Sequence, residues 1–160
     1  MPHNPKVGDS RAKHDSEQDL PFDFQMVTNT TLQVRRLINE DRIKEGCQLL
    51  QNYASEYGSE SNLHLRLTFR FLMEALANCR HHQASAVGRL LDEHVPAFDR
   101  FFRDLLRRHE LQMYERCCDK EGISKCQRLL GDRVQGPMFN GPQLQRLPTK
   151  TFTRKEDRWF

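Results

Sequence analysis

Apolar residues along this chain recur mostly at steps of three and four, the spacing that gathers them on one face of an α-helix. The cleanest stripe is Ile43, Cys47, Leu50, Ala54 and Tyr57, and Gly58 stands where a glycine ends a helix. Upstream, Thr30 and Gln33 have the spacing of a capping box, with Leu32, Val34, Leu37 and Ile38 following, until Asn39-Glu40-Asp41 interrupts the apolar face. These two segments predict a helical hairpin. Leu63 to Phe71 alternates apolar and polar residues, which in isolation reads as a β-strand. The apolar run then continues without a breaker through Leu72, Met73, Ala75 and Leu76. Its residues are Leu and Arg rather than β-branched, and Leu65, Phe69, Leu72, Leu76 and Cys79 also share a helical face, so a helix is expected, the most buried of the domain.

After Arg80-His81-His82, a helix carrying Ala84, Val87, Leu90 and Leu91 should end near Val95, because Pro96 disfavours helical geometry in the residue before it. Pro96 suits the first turn of the next helix, which is expected to reach about Cys118. Its inner side carries Phe98, Phe101, Phe102, Leu105, Leu106, His109, Met113 and Cys117. Gly122 and Ile123 read as a C-cap with its hydrophobic contact, and a last helix holds Cys126, Leu129 and Leu130. The expected fold is all-α, about six helices as three antiparallel hairpins, in an irregular bundle or a short helical-repeat stack. A repeat is suggested by Ile43 to Leu50, Ala84 to Leu91 and Ile123 to Leu130, each an apolar residue six before a double leucine, starting 41 and then 39 residues apart.

The ends of the chain break this pattern. Residues 1–25 mix Pro, Gly, Ser and both charges and are expected to form a disordered arm whose adhesive spot is Leu20 to Phe24, with Phe22 and Phe24 as peptide anchors. The helical domain is expected over 26–134. Residues 135–160 hold three prolines and the basic residues Lys150, Arg154, Lys155 and Arg158 around Phe152, Trp159 and Phe160, a second arm in which Trp159 and Phe160 are candidate anchors.

Charge adds little. Twenty-five Lys and Arg against 22 Asp and Glu, a net +3, fall short of a dedicated nucleic-acid binder. Five cysteines, an odd number, with no apolar leader before them read as reduced thiols, so the expected setting is intracellular, nucleus or cytoplasm. No apolar run has the roughly 18 residues that a membrane span needs, so no membrane partner is expected.

Candidate chemistry is thin. Cys79, His81, His82, His109, Cys117, Cys118 and Cys126 are zinc-ligand types, but they lack the paired spacing of a structural site, and no metal or cofactor is expected. Glycines do not cluster into a phosphate loop, and no nucleophile elbow is present, so no catalytic residue is expected. What remains is the helix after Pro96. Its stripe of Phe98, Phe101, Phe102, Leu105 and Leu106 is either core or a partner-binding face. Arg100, Arg103, Arg107 and Arg108, with Lys150, Arg154 and Lys155, could contact phosphates, although Asp99, Asp104 and Glu110 interrupt them. The chain therefore reads as a non-catalytic interaction module, an adaptor or scaffold that binds a protein partner or itself. The alternative is a nucleic-acid-associated factor using the arginine-rich helix and the basic arm.

Overall fold

A computed structural model describes residues 25–58 and 62–139. Six α-helices and no strand occur among the described residues. They are α1 (residues 25–39), α2 (Gly46–Tyr57), α3 (Asn62–Asn78), α4 (Ala84–His94), α5 (Arg100–Arg116) and α6 (Lys120–Leu130), with short 3₁₀ turns at Ile43–Glu45, His81–Gln83, Val95–Ala97 and Gly131–Arg133. The helices pack as a bundle. The alternating segment Leu63 to Phe71 is helical and lies in α3, which packs against α2, α4 and α5. Every residue of α3 from Leu67 to Leu76 is buried, as in a helix enclosed on all sides.

Helix starts differ from the expected ones for identifiable reasons. Thr30 and Gln33 do not cap a helix: α1 already runs through them, and the Thr31 hydroxyl donates to the Val27 carbonyl one turn back at 3.1 Å. The pair instead receives Tyr53 from α2. The Tyr53 hydroxyl lies 2.8 Å from the buried Thr30 Oγ1 and donates to Gln33 Oε1 at 3.3 Å. Pro96 sits in the 3₁₀ turn and not in α5. The backbone extends at Phe98, and α5 starts at Arg100 with Asp99 as N-cap, its carboxylate accepting the Phe102 N–H at 3.1 Å. Gly122 is not a C-cap either. It lies in the first turn of α6, where the Asp119 carboxylate accepts its N–H at 3.0 Å. Gly58 does end α2, with φ +86° and its N–H on the Ala54 carbonyl.

The second leucine of each double-leucine pair, Leu50, Leu91 and Leu130, is fully buried, and these three anchor α2, α4 and α6. Helices α4, α5 and α6 are also joined by charge. The Glu110 carboxylate, fully buried on α5, accepts from Arg107 at 2.7 Å and from Lys125 at 3.0 Å, while Asp92 of α4 accepts from the same two cations at 2.8 and 2.9 Å. Partial burial alone would raise the Asp92 carboxyl; the bonds from Lys125 and Arg107 outweigh it and hold the group below the usual carboxylate range. Tyr114 hydrogen-bonds to Glu110 as well, and its hydroxyl lies against Gly88 of α4, where a methyl group would overlap it. Gly88→Ala is therefore expected to cost about 1–3 kcal/mol, since the tyrosine cannot yield without leaving Glu110. Urea denaturation of the two proteins measures it; equal midpoints would show that Tyr114 moves freely.

Candidate interaction site

The apolar stripe of α5 is not a free surface. Phe98, Phe102, Leu105 and Leu106 are all buried, because α3 and α6 cover the face that carries them. Phe101 alone is half-buried. The helix arginines are turned inward too. Arg103 donates to the Phe98 carbonyl at 2.6 Å, Arg107 belongs to the charge network, and Arg108 is buried, so of the four only Arg100 is exposed. Phe22, Phe24, Lys150, Arg154, Lys155, Trp159 and Phe160 lie outside the described residues.

What the stripe builds at its half-open edge is a pocket. The Phe101, Phe102 and Phe69 rings surround a fourth ring, that of Phe139, at centroid separations of 6.2, 6.3 and 6.3 Å, with Phe102 and Phe139 mutually perpendicular. Such edge-to-face pairs add about 0.5–1.5 kcal/mol each beyond area burial. Phe139 comes from the chain after the Gly131–Arg133 turn, a stretch with no helical or strand hydrogen bonding of its own. Residues 135–139 belong to the span read from the sequence as the C-terminal arm, yet Phe139 is as buried as the core.

A non-helical segment that approaches a core brings backbone groups that need partners. Here α5 side chains supply them. Arg108 donates through Nε to the Arg133 carbonyl at 2.9 Å and through Nη1 to the Pro137 carbonyl at 3.3 Å. The buried Phe139 N–H donates to His109 Nε2 at 3.0 Å, and Arg133 pairs with Asp104 at 2.8 Å. Phe101, Asp104 and Arg108 recur at steps of three and four on α5, so one helical face holds the ring pocket, the ion pair and the carbonyl clamp. His109 must be neutral to accept. Burial, helped by the adjacent Arg108 cation, pushes its pKa down to about 4. Asp104, Arg108 and His109 were visible in the sequence as a charge on α5, an arginine on its outer side and an inward histidine. Their joint role was not, because it depends on a segment with no periodicity.

A second surface feature is an open groove of about 370 Å³ between α1 and α2, walled by Gln33, Arg36, Leu37, Leu49 and Asn52. Leu32, 58% exposed, stands next to Gln33 on α1.

Three of the five thiols are held in the protonated form. Cys47 donates to Glu93 at 3.8 Å, and both burial and that carboxylate push its pKa up; burial raises Cys79 to about 11 and raises Cys126 further. All three are protonated at neutral pH, and the thiolate is the form that attacks or binds metal. Among the described residues no group of three or more His, Cys, Asp or Glu is arranged to hold a metal ion, and no helix is long and apolar enough to cross a membrane. No protein-family model matches the chain, and no curated protein or solved structure matches it either.

Proposed function

We propose that the chain is a non-catalytic interaction module that binds another protein chain, or a second copy of itself, through the aromatic groove on α5. The observation that carries this reading is the way Phe139 is held. A short non-helical segment inserts one aromatic anchor into a ring-lined pocket, while an arginine and a histidine on the same helix take its main-chain carbonyls and N–H. Recognition of a peptide by a folded domain uses the same division of labour, backbone hydrogen bonds for affinity and a side-chain pocket for specificity. The supporting side chains stand on a helix locked by the Glu110 network, so the groove is preorganised and loses little entropy on occupation.

The test empties the groove and offers it a ligand from outside. In the full chain, Phe139→Asp places a carboxylate that the ring pocket cannot accept, and circular dichroism checks that the helices persist. A fluorescent peptide of residues 131–139 should then bind with saturable anisotropy, and the same peptide with Phe139→Ala should not. If the folded variant takes up no peptide at millimolar concentration, the groove is internal packing alone and the reading fails.

A further inference from the structure

We propose, resting on the interaction reading above, that the α5 groove recognises the pattern Gly-Pro-x-Phe, and that Gly136-Pro137-Met138-Phe139 is a built-in ligand that keeps the groove closed to partners bearing the same pattern. Each fixed position has a physical reason. At Gly136 a Cβ would overlap Cζ and Nη2 of Arg108 and lie 2.7 Å from its Nε. A long side chain usually swings away from such a clash, but this guanidinium is buried and pinned by the Arg133 and Pro137 carbonyls. Moving it would break both hydrogen bonds, so any residue larger than glycine costs the clamp.

Pro137 contributes the carbonyl that Arg108 takes and has no N–H of its own to satisfy. Its fixed φ stiffens the segment before it docks, which lowers the entropy lost on binding. Met138 is half-buried and makes no side-chain polar contact among the described residues, which leaves that position open to other residues. Phe139 is the anchor: its ring meets Phe69, Phe101 and Phe102, and its N–H meets His109. The chain repeats the Gly-Pro-x frame five residues later as Gly141-Pro142-Gln143-Leu144, with leucine where the first copy has phenylalanine. That second copy, outside the described residues, is a natural control, since a leucine cannot reproduce the edge-to-face ring contacts.

The short tether from α6 gives the built-in ligand an effective concentration on the order of millimolar, so a competing peptide must overcome it. Anisotropy of the fluorescent 131–139 peptide, read on the full chain, separates the possibilities. Phe139→Asp should bind the native peptide, and wild type should bind it at least about tenfold more weakly. The Gly136→Ala peptide, and a peptide with Gly141-Pro142-Gln143-Leu144 in place of residues 136–139, should each bind Phe139→Asp at least about tenfold more weakly than the native sequence does. A second variant, Gly136→Ala in the full chain, leaves the pocket itself unaltered and should open it to the native peptide. If Phe139→Asp stays folded and binds none of these peptides, the interaction reading itself falls. If it binds the Gly136→Ala peptide as tightly as the native one, the Gly-Pro-x-Phe specificity is overturned while the groove remains an interaction site. Equal binding by wild type and Phe139→Asp overturns the built-in ligand.

Discussion

Glu110→Ala is expected to destabilise the domain by about 3–5 kcal/mol, the usual cost of removing one partner from a buried ion pair. The carboxylate is 0% exposed and takes hydrogen bonds from Arg107 and Lys125, and Tyr114 and Cys126 bond to it as well. Without it Arg107, largely buried, keeps only the half-exposed Asp92, and the tyrosine hydroxyl and Cys126 thiol lose their acceptor. Glu110→Gln, which keeps an acceptor but not the charge, should lose less. Urea midpoints of the three proteins decide the matter. A loss under about 1 kcal/mol for the alanine variant, the scale of a surface salt bridge, would mean that water replaces Glu110 and that the network does not lock α4, α5 and α6.

Acid should loosen the C-terminal segment before it protonates Asp92. His109 holds Phe139 only as a neutral acceptor, and its pKa is depressed from the usual 6.5 to about 4 by burial and by Arg108. A group whose folded pKa lies below its unfolded value gives stability that is fully present above the unfolded pKa and is lost as pH falls toward the folded one. The window is therefore pH 6.5 down to 4, and the contribution at neutral pH is about 3 kcal/mol. His64 and His94 are shifted down by burial too and add to the same slope. Lowered carboxylates such as Asp92 act below this window. Denaturation at pH 7 and pH 4.5 should show a steep loss for wild type and a shallower one for His109→Gln, whose side-chain oxygen can accept the Phe139 N–H at either pH. A His109 imidazole that titrates near 6.5 by NMR would contradict the buried, accepting ring.

Much of the helical framework was legible because burial and periodicity agree. The stripe of α2, the glycine after it and the stop before Pro96 each rest on local geometry. The segment Leu63 to Phe71 is the hard case: a helix covered on all sides buries polar residues such as Thr68 and Arg70 along with its leucines, so its apolar positions need not follow a helical period, and the length of the breaker-free run is what marks it as a helix. Thr30 and Gln33 show a different limit. The side chains that make a good cap also make good acceptors for a tyrosine from another helix, and only tertiary structure chooses.

At the candidate site the stripe on α5 was plain from the sequence but its destination was not. Phe102 and Leu105 look the same whether they meet a neighbouring helix or a partner. Arg108 reads as a surface charge until Arg133 and Pro137 supply carbonyls for it. Phe139, one aromatic beyond a Gly-Pro pair, carries no period at all, so nothing before the fold itself ties it to Phe69, seventy residues away in sequence.

The most direct test is amide hydrogen exchange of the full wild-type chain at neutral pH, followed at Phe139. Its N–H should exchange at least about a hundredfold more slowly than an unstructured amide, and that protection should vanish in Arg108→Gln while the amides of α5 stay protected. Exchange at the unstructured rate in wild type, beside a protected α5, would mean that the segment does not occupy the groove and that the site described here does not exist in solution.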